Sequence, residues 1–130
     1  MRIGSADIMI TLFGIPNCDT IKKTRSWLDK AGVDYQFHDY RKDGCPESLI
    51  KTFLSQFEFG ELINTRGTTW RKLSEDTRND LDKKSATQLM STQPALIKRP
   101  LLRANNSWLL GFNEARLHEF VTNAKNDSPK

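Results

Sequence analysis

The sequence predicts an α/β domain in which a four-stranded mixed sheet is interrupted by a helical insertion. Three observations support this prediction. A strand–helix–strand pattern opens the chain, stretches with helical periodicity fill its middle, and two short apolar runs followed by a helix close it. A helical crossover joins parallel strands and a tight turn joins antiparallel ones, so both pairings are expected in one sheet. With 130 residues the chain fits a single domain over 1–130.

The first half begins with a short apolar run, Ile8 to Phe13, which reads as a buried strand ended by Gly14 and Pro16. A helix is expected directly after Cys18, stopped by Gly32. Its apolar face would be formed by Ile21, Thr24, Leu28 and Ala31. Alternation from Tyr35 to Tyr40 then indicates a second strand, parallel to the first.

The middle of the chain is expected to be helical. Pro46 suits the first position of a helix, and apolar residues recur at helical spacing up to Phe57. The stretch 64–72 has no clear period and is read as a loop or irregular turn. Short helices are expected after Ser74 and after Ser85, the latter with a capping box to Gln88.

The chain closes with a predicted hairpin and helix. Leu101 and Leu102, then Trp108 to Leu110, flank a turn at Asn105 and Asn106. Asn113 is expected to cap a last helix, whose apolar face would contain Leu117, Phe120, Val121 and Ala124. The polar tail 126–130 is expected to fray. This order of elements is that of a thioredoxin-like fold with an insertion between its halves.

Composition excludes several classes of protein. Hydrophobic residues make up 37% and charged residues 28% of the chain, which argues against a disordered or fibrous protein. No apolar run reaches the roughly 20 residues that a membrane helix needs, and no export signal is recognised, so a cytoplasmic location is expected. Two cysteines and two histidines without ligand spacing predict no metal site. The net charge of +4 is mild, and its clustered lysines and arginines fit solvated helix faces or anion binding.

Cys18 is the principal candidate for chemistry. It follows a strand and a tight turn and precedes a helix, where unpaired N–H groups and the helix dipole stabilise an anion. A thiolate there is favoured, and the pKa of such a cysteine falls below its ordinary value. Lys22 is expected to add to this effect and Asp19 to oppose it. The alternative is a buried, inert cysteine.

The motifs around Cys18 resemble the arsenate-reductase-like (ArsC) family, most closely its Spx and YffB-like branch. The resemblance covers residues 8 to 121, nearly the whole chain. Its motifs keep their order and approximate spacing: Thr11 to Arg25, Asn64-Thr-Arg66, Lys98-Arg99-Pro100 and Leu110-Gly-Phe112.

This resemblance implies roles for particular residues. The nucleophile falls on Cys18, two anion-binding arginines fall on Arg66 and Arg99, and Pro100 matches a cis-proline beside the active site. A cis bond is plausible there because X–Pro peptides have only a small trans preference. Asn17, Arg66, Arg99 and Pro100 are therefore expected to bind substrate or glutathione.

Three positions depart from the arsenate reductases that the sequence resembles. Their third arginine falls near Gly111, the histidine before their cysteine loop falls on Gly14, and a serine falls on Ile21. Efficient arsenate reduction is therefore not expected. Ile21 also excludes the Cys-x-x-Cys pair that many Spx proteins use as a redox switch.

The expected function is that of a glutathione-dependent thiol-disulfide oxidoreductase with one nucleophilic cysteine. It needs no bound cofactor, because glutathione is the co-substrate and a thiol or mixed disulfide the partner. No membrane or direct nucleic-acid partner is expected. Two alternatives are a glutathione-coupled arsenate reductase and an Spx-like transcription regulator that binds RNA polymerase. Cys45 reads as an incidental turn residue rather than a resolving thiol, and His38 and His118 read as packing residues.

Overall fold

The computed structural model describes residues 9–126. Their contacts cluster into two compact units. One contains the described residues up to Asp39 and from Arg99 onward, and the other is Tyr40–Lys98. The assignment of the chain to a single domain stays a prediction. No helix within 9–126 is both long and apolar enough to cross a membrane.

The first unit contains the whole sheet, whose four strands are arranged in the order β2-β1-β3-β4. β1 pairs parallel with β2 and antiparallel with β3, and β3 pairs antiparallel with β4. The strands span Ile10–Gly14, Gln36–Asp39, Leu101–Ala104 and Ser107–Leu110. This mixed sheet confirms the fold class that the sequence predicts, including the hairpin at Asn105, where φ is 58°.

Two helices accompany the sheet. α1 spans Asp19–Lys30 and forms the crossover between β1 and β2. α7 spans Glu114–Asn126 at the end of the described chain. Their buried faces join the strands in one apolar cluster, which includes Ile10, Leu12, Ile21, Leu28, Leu102, Leu117, Phe120 and Val121.

The two helices confirm most of what their sequences predict. The Asn113 side chain accepts a hydrogen bond of 3.0 Å from the backbone N–H of Arg116, as expected for the cap of α7. Ala31 was expected on the buried face of α1 but is exposed, because α1 ends at Lys30 and Ala31 is its C-cap. Asn126 still belongs to α7, and residues 127–130, like Ile8, lie outside the described residues.

The second unit is the helical insertion. Five α-helices and one 3₁₀ turn are described in it: α2 (Glu47–Leu54), α3 (Phe59–Leu62), α4 (Thr68–Arg71), α5 (Glu75–Asn79), α6 (Lys83–Thr92) and the 3₁₀ turn Pro94–Leu96. Its buried residues include Ile50, Phe53, Leu62, Met90, Leu96 and Ile97. The helical insertion predicted from the sequence is therefore present.

Three local predictions in the insertion need correction. Pro46 is the N-cap of α2 rather than its first helical residue. The stretch 64–72, which was predicted to be a loop or irregular turn, contains the single helical turn α4. A helix of four residues is too short to show a hydrophobic period in the sequence. The capping box of α6 is formed by Asp82 and Ser85, so Ser85 lies inside the helix rather than before it.

Candidate active site

Cys18 lies at the junction between the central part of the sheet and the first helix. β1 ends at Gly14 and is hydrogen-bonded to neighbours on both sides. Residues 15–17 turn the chain, and Cys18 is the N-cap of α1, with extended backbone angles. Its carbonyl accepts a hydrogen bond of 2.9 Å from the N–H of Lys22, which closes the first turn. The short link from a doubly paired strand fixes the backbone that carries the sulfur.

The sulfur of Cys18 has two polar side chains within hydrogen-bond distance. The Nε of Arg99 donates to Sγ at 3.3 Å. The Oγ1 of Thr20 lies 3.2 Å from Sγ, and its hydroxyl donates when the sulfur is a thiolate. The backbone N–H of Ile21, in the first turn of α1, also points at the sulfur. Three donors from α1 and the Arg99 segment therefore converge on one half-buried atom.

These donors decide the acidity of the thiol. Burial alone would raise the pKa of Cys18, but the hydrogen bonds from Thr20, Arg99 and the N–H of Ile21 lower it, as does the positive charge of Arg99. The net result is a pKa below the ordinary value for cysteine. Because the thiolate is the nucleophilic form, the arrangement suits attack on an electrophilic atom, such as the sulfur of a disulfide or the central atom of an oxyanion.

Gly14, at the end of β1, leaves no room for a side chain because Ile21 of α1 packs against it. A methyl group at position 14 would overlap Cδ1 of Ile21 and lie only 2.9 Å from its Cγ1. Ile21 is completely buried, so it has little room to withdraw. The two positions that depart from the arsenate reductases, in place of a histidine and a serine, therefore form a single packing contact.

The residue after Arg99 is hydrogen-bonded to the chain that leaves strand β4. The Arg99–Pro100 peptide bond is cis, as the resemblance implies. The carbonyl of Pro100 accepts a hydrogen bond of 2.8 Å from the N–H of Gly111. Gly111 has a φ of 92°, a backbone angle that residues other than glycine rarely adopt. An arginine is therefore disfavoured at the position where the arsenate reductases carry their third one.

The remaining residues singled out from the sequence have varied surroundings. Asn17 is exposed in the turn before Cys18. Arg66 belongs to the second unit, where its side chain is exposed and its N–H donates to Asn64 at 3.1 Å. Cys45, in the same unit, is buried and donates to the carbonyl of Met90 at 3.7 Å. Burial raises the pKa of Cys45 to about 11, so it is a poor nucleophile at neutral pH.

The histidines lie in ring contacts within the first unit. The ring of His38 is 5.3 Å from that of Phe13, and the ring of His118 is 6.4 Å from that of Trp27. These contacts agree with the packing role expected of both. Among residues 9–126 there is no group of three or more histidine, cysteine, aspartate or glutamate residues that could hold a metal ion.

Sequence reasoning missed Thr20 and misjudged Lys22. Only the geometry of the first helical turn brings the hydroxyl of Thr20 to the sulfur of Cys18. Lys22 and Asp19 are exposed, and neither is among the groups that shift the pKa of Cys18. The positive charge beside the sulfur is that of Arg99 instead.

The mixed sheet, its crossover helix α1 and the cysteine at the start of that helix define a thioredoxin-like fold with a cysteine of lowered pKa at a helix start. The ArsC family pattern matches residues 13–120, and the chain belongs to this family. A solved YFFB protein is 39% identical with a TM-score of 0.81, over 85% of this chain and 97% of that one.

Two further relatives indicate the range of the family. An arsenate reductase (ArsC) related protein from Brucella melitensis is 42% identical, covers 87% of this chain and 94% of its own, and has a TM-score of 0.72. The global transcriptional regulator Spx of Streptococcus mutans is 31% identical over 87% of this chain and 83% of its own. These relatives support, at a coarse level, a thiol-based redox enzyme or regulator.

Proposed function

We propose that this protein is a glutathione-dependent thiol-disulfide oxidoreductase with Cys18 as its only nucleophile. The observation that carries the proposal is the sulfur of Cys18 at the start of α1, 3.3 Å from Nε of Arg99 and 3.2 Å from Oγ1 of Thr20. A thiol with a lowered pKa is more ionised at neutral pH and reacts faster with disulfides.

The reaction has two exchange steps. The Cys18 thiolate attacks the glutathionyl sulfur of a mixed disulfide, a Cys18–glutathione bond forms, and the substrate thiolate leaves and takes up a proton from water. A glutathione thiolate then attacks the glutathionyl sulfur of this intermediate. Oxidised glutathione is released and the Cys18 thiolate is restored, so glutathione supplies both electrons.

A second thiol supplied from solution is supported by the sequence of α1, which contains no further cysteine after Cys18. Ile21, three residues on, is buried and apolar, and Cys45 has a raised pKa of about 11. Glutathione carries two carboxylates, which guanidinium groups bind well. The resemblance assigns this role to Arg66 and Arg99.

The direct test is the intact mass of the protein after treatment with oxidised glutathione. We expect one glutathionyl adduct on the unaltered chain and on Cys45→Ser, and none on Cys18→Ser. Turnover is then followed as glutathione-dependent reduction of a small glutathionyl mixed disulfide. An adduct that persists in Cys18→Ser, or an adduct that glutathione does not release, would contradict the proposal.

The two alternatives make different predictions. Arsenate reduction predicts glutathione consumption that depends on arsenate and disappears in Arg66→Ala and Arg99→Ala. The positive φ of Gly111 and the Gly14–Ile21 contact count against it. A regulator like Spx predicts co-purification with a subunit of RNA polymerase and no turnover of mixed disulfides.

A further inference from the structure

A groove of about 570 Å³ runs along the exposed side of α1 in the first unit. Its lining combines three lysines with two aromatic rings: Lys22, Lys23, Ser26, Trp27, Lys30, Phe112 and Glu114. The three lysines are exposed, and Trp27 and Phe112 are half-buried against the core. The edge contact between the rings of Trp27 and His118 holds the indole in place.

This groove begins next to the reactive sulfur. The N–H of Lys22 donates a hydrogen bond to the carbonyl of Cys18, so that end of the groove lies four residues, about 6 Å, along the helix axis from Cys18. Phe112 directly follows Gly111, whose N–H binds the carbonyl of Pro100. One wall of the groove therefore adjoins the backbone of Cys18, and the other adjoins the segment that carries Arg99, whose Nε donates to the sulfur.

The length and charge of the groove indicate its ligand. Lys22 and Lys30 are eight positions apart on α1, which corresponds to about 12 Å of helix and to about three or four residues of extended peptide. The lining carries three positive charges from lysines and one negative charge from Glu114, and its apolar part is formed by Trp27 and Phe112. This combination complements an acidic segment that also carries apolar atoms.

We infer that this groove binds an acidic segment of the protein substrate, close in sequence to the cysteine whose glutathionyl mixed disulfide Cys18 attacks. The inference rests on the proposed function and names its substrate class: proteins glutathionylated near acidic residues. The segment lies along α1 while its neighbouring disulfide reaches the sulfur at the start of the same helix.

The test compares three peptides that carry one glutathionylated cysteine. In the first, three glutamates lie about two to five positions from the cysteine, as the reach of an extended chain requires. In the second, the same glutamates lie ten or more positions away, and in the third they are replaced by glutamines. We expect kcat/KM for the first peptide to exceed that for the other two by about fivefold at low ionic strength, as for two or three exposed charge pairs.

Charge-reversal variants assign this preference to the groove. Lys23→Glu combined with Lys30→Glu is expected to abolish the preference for the first peptide. Lys51→Glu combined with Lys83→Glu, which alters two exposed lysines of the second unit by the same charge, is expected to retain it. Equal rates for the first and second peptides would overturn the inference, since only overall charge would then act.

Two further outcomes separate this inference from the proposed function. An equal loss on every substrate in Lys23→Glu/Lys30→Glu, including a small glutathionyl disulfide, would mean that glutathione itself occupies the groove, and would overturn the inference alone. If no disulfide is turned over at all, the proposed function fails. The groove can still be tested in that case by measuring the affinity of Cys18→Ser for the first peptide made without its glutathionyl group. If this affinity equals that for the glutamine peptide, the inferred binding of an acidic segment is refuted.

Discussion

Replacing Gly14 with alanine tests the close contact between β1 and Ile21 of α1. The added methyl group would overlap Cδ1 of Ile21 and lie 2.9 Å from Cγ1, and Ile21 is stiff and fully buried. Overpacking of this kind costs about 1–3 kcal/mol, while replacing glycine returns about 0.4–1 kcal/mol through the unfolded chain. We therefore expect Gly14→Ala to lower the free energy of unfolding by about 1–2 kcal/mol.

A double-mutant cycle identifies Ile21 as the cause. Ile21→Val removes Cδ1 and should cost about 1 kcal/mol by itself. With that atom absent, Gly14→Ala should cost less, so the double variant should be more stable than the sum of the single losses predicts, by about 1 kcal/mol. Gly60→Ala is the matched control, because a methyl group there meets no atom within 4 Å; on helix propensity it should be neutral or stabilising.

The assay is urea unfolding of the four proteins of the cycle and the control, together with alkylation of Cys18 as a function of pH. Because the N–H of Ile21 points at the sulfur, a displaced Ile21 should also raise the pKa at which alkylation begins. The reasoning is refuted if Gly14→Ala unfolds at the same urea concentration as the unaltered chain, or if the two substitutions are strictly additive.

Three further predictions concern the thiols. Arg99→Met removes a donor and a positive charge from Cys18, so the pKa should rise and alkylation near pH 7 should slow, while rates well above pH 9 stay similar; an unchanged profile would contradict the contact at 3.3 Å. Thr20→Val should raise the same pKa and Thr20→Ser should restore it, as the alkylation profile will show; equal effects of both would assign the change to packing rather than to the hydroxyl. Burial raises the pKa of Cys45 to about 11. Between the ordinary pKa of cysteine and this value, the unfolded chain loses the proton more readily than the folded one, so stability should fall as pH rises, by up to about 1.4 kcal/mol per pH unit. Urea unfolding of the unaltered chain and of Cys45→Ala at pH 8 and 10 measures the difference in slope, and parallel slopes would contradict a buried thiol.

The sequence predicted the fold well where its signals are local and repeated. The helix starts at Ser74 and Asn113 follow from side chains that accept hydrogen bonds from nearby backbone N–H groups, and the structure contains both. The turn at Asn105 follows from the tolerance of asparagine for a positive φ, which is 58° there. The single turn of α4 was not predictable because four residues carry no period. Asp82 displaced Ser85 as the cap of α6, since both residues suit that position and the sequence pattern does not choose between them.

The surroundings of the sulfur were predictable only in part. The helix start after Cys18 follows from local pattern, whereas the approach of Arg99 joins residues 81 positions apart and was implied only by resemblance to a family. The contact between Gly14 and Ile21 could not be predicted, because it depends on how closely β1 and α1 approach. The contact of Thr20 with the sulfur was not predicted either. Thr20 lies only two residues after Cys18, and no sequence motif distinguishes a threonine at that spacing from any other.

The long separation between Cys18 and Arg99 has a consequence for the newly made chain. Until Arg99 has emerged from the ribosome, Cys18 lacks the guanidinium group that donates to its sulfur. Its only donors are then those of the first turn of α1, Thr20 and the N–H of Ile21. Full acidity of the thiol therefore arises late, when the last strands join the sheet. An unfinished or unfolded copy lacks the hydrogen bond and the positive charge by which Arg99 lowers the pKa of this cysteine.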